Sequence, residues 1–424
     1  MSKTTANQNS WVKLFEKHRI IENIDASGSF MITADQIKVF REPRLMTKFD
    51  HAYLLPSIFS ENNISILPNT RGTYSLGRFD IFHKLEVVNE PLIDIRLDES
   101  FETLDFNNIT SESTAISCAY VSKILEHFLG EEITPTISGR MGSGCFQFNI
   151  TSNGNKKSLF DVDRVQIEID AGFESAKSFS LIEAKNHFSD DFVIRQLYYP
   201  YRKWQAAIRK PVRNLFLTYS NGVFELREYS FLCLDDYNSI NLINCKRYAV
   251  CNFQINVQSI QEILNCSQSE IEPPEIPFPQ ADSFDRVINL CELLSSEEFL
   301  TKAEITKNYG FDERQTDYYI NACKYLEFAE SQGQGFALTA QTKKAFQKPI
   351  ALRRKFFIEQ LLKRSVFRKS LELYFMQAEI PSKDQIVNIM RTTQLDRINS
   401  ESTFRRRAST VTSWIDWIVA QIDE

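Results

Sequence analysis

The chain has 424 residues, 43% of them hydrophobic and 25% charged, so it is long enough for two or three globular domains and too apolar for a disordered chain. The net charge of −6 argues against a uniformly basic nucleic-acid-binding protein, yet residues 341–424 carry 16 Lys/Arg against 9 Asp/Glu, net +7, which leaves −13 on residues 1–340. A basic C-terminal part suits a module that contacts DNA, although a solvated face gives the same bias.

The sequence predicts a cytoplasmic protein. Its eight cysteines include no C-x-x-C pair, and its five histidines are scattered, which argues against a zinc site and a disulfide framework. No apolar run approaches the ~20 residues of a membrane span, and the N-terminus lacks the apolar core of a signal peptide.

Residues 1–100 are predicted to form an α+β region. A helix is expected over Trp11–Ile21, and "NISILPNTRGTYSLGRFDIF" (63–82) reads as two short strands around a Pro-Asn-Thr-Arg-Gly turn.

Residues 101–268 alternate between helical and strand patterns, which predicts an α/β fold with a mixed sheet. The helices expected are Thr110–Gly130, with an apolar stripe, and Asp191–Arg209, interrupted at Pro200. The strands expected are Cys145–Ile150, Val165–Ile169, Phe179–Ala184 and the hairpin Leu215–Tyr219 with Val223–Tyr229.

A linker is expected at 269–280, "SEIEPPEIPFPQ", because Pro- and Glu-rich stretches are extended and pack poorly. Residues 281–346 then give three short helices and a Gly-containing hairpin, the layout of a winged helix, with "FDERQTDYYINACKYL" (311–326) at the recognition-helix position. Residues 347–424 are predicted to be helical and basic.

The strongest chemical signal is "QIEIDAGFESAKSFSLIEAKN" (166–186), two strands that end in acids and a lysine. Strand alternation places Gln166, Glu168 and Asp170 on one face, and Glu183 with Lys185 on one face of the next strand. If the strands pair antiparallel, the Asp170 and Glu183 carboxylates meet at the end of the ribbon. A divalent cation offsets their repulsion, with the Ala184 carbonyl as third ligand and Lys185 beside the attacking water.

Two further residues extend this pattern. Glu112 lies on the apolar stripe of its helix, and Gln196 lies in "IRQLYYPYRKW", where Arg195, Arg202 and Lys203 are candidate phosphate contacts. Each has a simpler explanation: alternating charges suit a solvated ribbon, Glu112 suits a first-turn acid, and Gln196 suits packing. Taken together, the order Glu112, Asp170, Glu183, Lys185 and Gln196 along the chain favours a metal site.

This order, with Asp on a strand and Glu-x-Lys on its partner, resembles the PD-(D/E)XK nuclease superfamily. "IEIDAGFES…FSLIEAKNHFSDDFVIRQLYYPYR" and "REPRLMTKFDHAYLLPSIF" are similar to a group of type II restriction endonucleases. Asp170, Glu183 and Lys185 match the core motif, whereas Glu112 and Gln196 match more variable positions. Ile169 replaces the motif's proline, and Asp163 and Glu168 are alternatives to Asp170.

The resemblance implies a Mg²⁺-dependent enzyme that hydrolyses both strands of a specific DNA sequence and leaves 5′-phosphate ends. It also implies a homodimer, because symmetric DNA requires two active sites, and a cognate DNA methyltransferase that protects host DNA.

Several residues are candidates for reading or holding DNA. Arg314 and Gln315 on the winged-helix segment suit base contacts, whereas Arg405, Arg406 and Arg407 suit phosphates. Arg41, Arg44, Lys48, Arg71 and Arg78 offer alternative contacts in the N-terminal region.

Two rival functions stay open at this point. One is a DNA-binding regulator whose nuclease-like core is inert, and the other is a repair or structure-specific nuclease. Metal-dependent cleavage into discrete fragments separates the site-specific enzyme from both.

Overall fold

A computed structural model describes residues 3–88, 90–95, 101–107, 109–152, 156–250, 255–266, 269–309, 313–393, 395, 398 and 400–422. The chain divides into two compact units. The first comprises Met1–Ile93, Ala115–Thr218 and Phe224–Tyr248; the second comprises Asp94–Thr114, Tyr219–Val223 and Ala249–Glu424. The predicted linker, 269–280, lies inside the second unit.

The N-terminal region of the first unit contains short helices and a three-stranded antiparallel sheet of order β1-β3-β2. Its elements are α1 (Lys3–His18), α2 (Ile20–Ser27), β1 (Ser29–Thr33), α3 (Ala34–Lys38), α4 (Pro43–Met46), α5 (Ser57–Glu61), β2 (Ser65–Pro68) and β3 (Thr73–Gly77). The predicted helix Trp11–Ile21 is divided because Arg19 adopts a left-handed conformation, φ 46°. Trp11 packs edge-on against Phe59, with 4.8 Å between ring centroids.

The rest of the first unit is built on a mixed seven-stranded sheet of order β5-β14-β13-β12-β10-β9-β6. The elements from this part of the chain are β4 (Phe82–Lys84), β5 (Leu92–Ile95), α6 (Glu112–Val121), α7 (Ile124–Leu129), β6 (Thr134–Gly142), β7 (Cys145–Ser152), β8 (Lys156–Asp163), β9 (Gln166–Glu174), β10 (Phe179–Lys185), β11 (Asp191–Val193), α8 (Arg195–Ala207), β12 (Val212–Ser220), β13 (Val223–Phe231) and β14 (Ile240–Val250). The predicted mixed sheet is therefore confirmed.

Several predicted boundaries were wrong. The helix expected over Thr110–Gly130 is two helices, because Lys123 takes a left-handed φ of 63° between them. The second helix was expected to begin at Asp191, but Asp191 begins strand β11 and helix α8 begins at Arg195. Pro200 was expected to interrupt this helix, but α8 continues through it. Strands β6, β8 and β14 were not predicted, since their polar, half-exposed residues give weak apolar alternation.

The part of the second unit that follows residue 250 consists of helices and one small sheet of order β15-β17-β16. Its remaining elements are α9 (Val257–Cys266), α10 (Phe284–Ser296), β15 (Leu300–Thr301), α11 (Lys302–Tyr309), α12 (Glu313–Tyr325), β16 (Ala329–Gln332), β17 (Gly335–Leu338), α13 (Ala340–Phe346), α14 (Ile350–Leu362), α15 (Ser365–Gln377), α16 (Lys383–Thr392) and α17 (Glu401–Val419). Part of the predicted recognition segment, residues 311–312, lies outside the described residues.

The segment 269–280 packs against the helices of its own unit, contrary to the expectation that it packs poorly. Phe278 is buried, and its ring meets Tyr325 edge-on with centroids 5.5 Å apart. Glu270 pairs with Arg364 at 3.5 Å. The apolar residues between the prolines supply the packing that the Pro and Glu content obscured.

No helix in the described part of the chain is both long and apolar enough to cross a membrane.

Candidate active site

The candidate site lies where the ladder between β9 and β10 ends. The two strands pair antiparallel, as predicted, from Phe179 opposite Glu174 to Ile182 opposite Ala171. On its other side, β10 pairs parallel with β12 along its whole length. Every residue of β10 is buried, including Glu183 and Lys185. Among the described strands, the pairing with β9 stops at Ile182, so the last three residues of β10 pair with β12 alone.

A bulge in β9 explains how Asp170 reaches β10. In the pairing with β6, Ile137 lies opposite Gly172 and Gly139 lies opposite Ile169. Two residue steps along β6 therefore span three residue steps along β9, so β9 contains one extra residue. The extra residue lies in the segment Asp170–Ala171. Because of it, Ile169 and Gly172 face the same side, although simple alternation places them on opposite faces. The regular alternation of side-chain faces, which predicted one face for Gln166, Glu168 and Asp170, therefore ends at the bulge.

Asp170 closes the open end of the ladder. Its Oδ2 accepts a hydrogen bond from the backbone N–H of Ala184 at 2.9 Å. In a strand, the N–H and C=O of one residue point to the same neighbour, so the carbonyl of Ala184 also points toward β9. The carboxylate of Asp170 and the carbonyl of Ala184 thus lie on the same side of β10.

Lys185 contacts two of the three groups that were predicted to bind metal. Its Nζ lies 2.6 Å from Oε1 of Glu183 and 3.0 Å from the carbonyl oxygen of Ala184. Both side chains are less than a tenth exposed. Ion pairs this deeply buried persist only with good geometry and additional hydrogen bonds, which the Ala184 carbonyl provides.

Gln196 contacts the same carboxylate from helix α8, and its predicted part in a metal site stays a prediction. Its Nε2 donates to Oε1 of Glu183 at 2.5 Å. Its own Oε1 is buried and has no hydrogen-bond partner among the described residues. An unpaired buried acceptor is costly, so it marks a position that suits a water or a ligand.

The N-terminal region fixes the strand that leads into α8. The carbonyl of Asp191 accepts from Nδ1 of His51 at 2.6 Å, and its carboxylate accepts from the N–H of Ala52 at 3.3 Å. The N–H of Val193 donates to the carbonyl of Asp50 at 2.9 Å. These bonds hold the residues directly before Gln196, so the N-terminal region contributes to the placement of the site.

The donor set fits a hard divalent cation. It combines two carboxylates with the Ala184 carbonyl, and the unpaired Oε1 of Gln196 lies beside them. A cation already occupies part of this set, since the ammonium of Lys185 contacts Glu183 and Ala184. Within the described residues, no three His, Cys, Asp or Glu side chains gather as a ready metal cage. The fit therefore depends on the carbonyl and the amide as well as the acids.

The two alternatives to Asp170 are engaged elsewhere on the surface. Asp163 accepts from Arg164 at 2.8 Å and from the thiol of Cys145 at 3.0 Å, and these bonds lower its pKa to about 2. Glu168 pairs with Arg140 at 3.2 Å and is exposed. Asp170 is the acid of the three for which a bond to the end of β10 is observed.

Glu112 begins helix α6, as predicted, and is half-buried. The predicted stripe of that region is partly confirmed, with Ile116, Ile124 and Phe128 buried. The participation of Glu112 in the site stays a prediction.

Two of the three cations predicted next to Gln196 bond within their own unit. Arg202 donates to the carbonyl of Gln147 at 3.1 Å and to the hydroxyl of Tyr198 at 2.8 Å, and it pairs with Asp235 at 3.0 Å. Nζ of Lys203 donates to the carbonyl of Gly142 at 2.7 Å. Arg195, at the start of α8, is half-buried. A phosphate at Arg202 or Lys203 would have to replace an internal bond.

The cations predicted in the second unit are more exposed. The guanidinium of Arg314 bonds to the Tyr318 hydroxyl, and Gln315 beside it on α12 is half-buried. Arg405 pairs with Asp384 at 2.9 Å, and Arg406 is exposed. Arg407 is half-buried, and burial together with the charge of Arg406 lowers its pKa.

The cations of the N-terminal region differ in how far they are engaged. Arg78 pairs with Asp25 at 2.6 Å, Arg41 donates to Asn7 at 2.7 Å and Lys48 lies 3.5 Å from Asp50. Arg44 and Arg71 are exposed. Arg71 lies on the turn between β2 and β3.

One residue of the site had no signal in the sequence. Thr218 on β12 lies opposite Lys185 in the parallel pairing. It is 3% exposed, and its hydroxyl has no hydrogen-bond partner among the described residues. A single threonine in an apolar strand is unremarkable in sequence, and only the register between β10 and β12 brings it to the lysine.

Comparisons with known proteins give three matches in chain order. Residues 8–76 match a domain of unknown function (DUF6996), residues 77–249 a second (DUF6997) and residues 286–423 a third (DUF7226). No curated protein and no solved structure matches the chain. Asp170, Glu183, Lys185, Gln196 and Thr218 all fall within the match over residues 77–249.

Proposed function

We propose that this protein is a Mg²⁺-dependent endonuclease that cuts double-stranded DNA at a specific sequence and leaves 5′-phosphate ends. The observation that carries the proposal is the convergence of Asp170, Glu183 and Lys185 at the open end of the β9–β10 ladder. Carboxylates paired with a carbonyl are the oxygen ligands that Mg²⁺ prefers, at ~2.1 Å. In this proposal, the buried lysine beside them acts on the phosphodiester.

Each residue has a separate task in this proposal. Asp170, Glu183 and the Ala184 carbonyl would hold Mg²⁺, which would supply Lewis-acid stabilisation of charge on the phosphate. Lys185 orients the attacking water and stabilises negative charge on the phosphate oxygens. Gln196 holds the Glu183 carboxylate in place through its Nε2, and its unpaired Oε1 can accept a hydrogen bond from water.

Double-stranded DNA is proposed as substrate on the basis of the second unit. Helices α10, α11 and α12 precede the antiparallel hairpin β16–β17, and β15 pairs with β17 as a third strand. This order supports a winged helix, in which α12 would present Arg314 and Gln315 to bases. The exposed Arg405 and Arg406 on α17 would then contact phosphates.

A homodimer and a cognate methyltransferase complete the proposal. Cutting both strands of a symmetric sequence requires two copies of the site, which a two-fold dimer provides. A site-specific nuclease also needs its host DNA to be protected, and methylation of the recognition sequence gives that protection.

The test is digestion of unmethylated phage DNA by the purified full-length chain, with Mg²⁺ and with EDTA. We expect discrete fragments with Mg²⁺ only, and their loss in Asp170→Asn and Lys185→Met. Asp163→Asn and Glu168→Gln are matched controls, because they neutralise nearby acids outside the site, and they should cut normally.

The rival functions give different results in the same assay. A random smear contradicts sequence specificity and favours a repair or structure-specific nuclease. Tight binding of duplex DNA without cleavage, over Mg²⁺, Mn²⁺ and Co²⁺, favours the inert DNA-binding regulator.

A further inference from the structure

The hydroxyl of Thr218 is a buried polar group next to the candidate active site. Parallel register partners face the same side of a sheet, so Thr218 shares its face with Lys185. The side chain is 3% exposed, and no group among the described residues bonds to its Oγ1. Burial of an unpaired hydroxyl is unfavourable, and such groups in folded proteins usually have a partner in some state of the molecule.

Lys185 is held on the side of β10 away from Thr218. The ammonium bonds to the Ala184 carbonyl, which points toward β9, and to Glu183. These are oxygens that the proposed function assigns to Mg²⁺. A divalent cation bound to these oxygens would compete with the ammonium for their lone pairs, and the two positive charges would repel each other. Binding of a divalent cation therefore favours a move of the Lys185 ammonium toward another acceptor.

We propose that Thr218 is a positioning residue of the site, whose hydroxyl accepts a hydrogen bond from the Lys185 ammonium when a divalent cation binds at Glu183 and the Ala184 carbonyl. The inference rests on the proposed function. It gives the orphan hydroxyl a partner, and it keeps the lysine beside the reacting phosphate instead of releasing it to solvent. Lys185 thus has two positions, one on the β9 side and one on the β12 side.

The test compares Thr218→Val with Thr218→Ser. Valine keeps the shape and removes the hydroxyl, whereas serine keeps the hydroxyl. Ser180→Ala is the matched control, since Ser180 is also buried on β10 with an unpaired hydroxyl but faces the opposite side from Lys185. The first readout is Mg²⁺ affinity by isothermal titration calorimetry without DNA.

We expect Thr218→Val to weaken Mg²⁺ binding by about ten- to a hundredfold, the scale of one hydrogen bond to a charged group. Thr218→Ser and Ser180→Ala should bind within about threefold of the unchanged chain. Without metal, Thr218→Val should melt at or above the unchanged temperature, because no described residue bonds to the hydroxyl in that state. A crystal structure with Ca²⁺ should show Lys185 Nζ about 3 Å from Thr218 Oγ1.

Equal Mg²⁺ affinity of Thr218→Val and the unchanged chain overturns the inference, as does a Ca²⁺ structure in which Lys185 still contacts the Ala184 carbonyl. Neither result affects the proposed function if the unchanged chain binds Mg²⁺ and cuts DNA. A chain that neither binds Mg²⁺ nor cuts DNA overturns the proposed function, and the inference falls with it.

Discussion

The ammonium of Lys185 lies 2.6 Å from Oε1 of Glu183, and both side chains are less than a tenth exposed. Buried charges of this kind are stable as a pair and costly alone. The same Oε1 also accepts from Gln196 at 2.5 Å, so one carboxylate oxygen joins β10 to α8.

Lys185→Met should destabilise the metal-free protein by about 3 kcal/mol, because Glu183 loses its buried counter-ion. The same change should strengthen Mg²⁺ binding, since the ammonium no longer competes for Glu183 and Ala184. Thermal melts in EDTA and in Mg²⁺ measure both effects. A melting temperature in Mg²⁺ that rises no more in Lys185→Met than in the unchanged chain would contradict competition between the two cations.

Gly172→Ala should destabilise the protein by about 1–3 kcal/mol through overpacking. A Cβ at this position would lie 2.4 Å from Cγ1 of Ile137 and 3.0 Å from Cζ of Phe179. Gly142→Ala on β6 is the control, since its Cβ would meet nothing within 4 Å. Urea unfolding measures the difference, and equal stability of the two variants would show that β6 moves aside freely.

Asp191→Ala should loosen the contact between residues 50–52 and strand β11. It removes the acceptor of the Ala52 N–H and leaves a partly buried donor unpaired, which costs about 1–3 kcal/mol. Hydrogen exchange at residues 50–54 should become faster. Asp161→Ala, which removes an exposed carboxylate bonded to Gln147, is the control and should leave that exchange unchanged. Unchanged exchange in Asp191→Ala would mean that other contacts hold this segment.

The thiol of Cys145 should be alkylated by iodoacetamide more slowly than is usual for an exposed cysteine. Its hydrogen bond to Asp163 is the main cause that raises its pKa above the usual value of 9.0, and less thiolate is then present at neutral pH. Asp163→Asn removes the negative charge, so the pKa should fall and alkylation should accelerate. Iodoacetamide labelling followed by mass spectrometry measures the rate at Cys145, with the exposed Cys233 as internal reference. Slower labelling in Asp163→Asn would contradict this assignment.

The sequence was sufficient to predict the mixed sheet and the hairpin that carries the site. Glu183 and Lys185 alternate with buried apolar residues, so their common face could be predicted from β10 alone. The place of Gln196 near the hairpin could be predicted, because it lies at the start of the next helix, which has a clear apolar pattern. Its bond to Glu183 is observed in the structure.

The bulge beside Asp170 and the place of Thr218 next to Lys185 in the sheet could not be predicted in this way. The bulge in β9 arises from pairing with β6, a half-exposed strand whose pattern was too weak to detect. Thr218 reaches Lys185 only through the parallel register of β10 and β12. Both depend on pairing between strands that are distant in the chain, which local periodicity does not encode.

The assignment of the active site is tested by a single-turnover cleavage assay over a range of Mg²⁺ concentrations, with Asp170→Asn and Asp163→Asn side by side. If the end of the β9–β10 ladder is the active site, Asp170→Asn should lower the cleavage rate at least about a hundredfold while DNA affinity in EDTA is unchanged. Asp163→Asn should cleave like the unchanged chain. Equal cleavage by Asp170→Asn and the unchanged chain would show that the end of the β9–β10 ladder is not the active site.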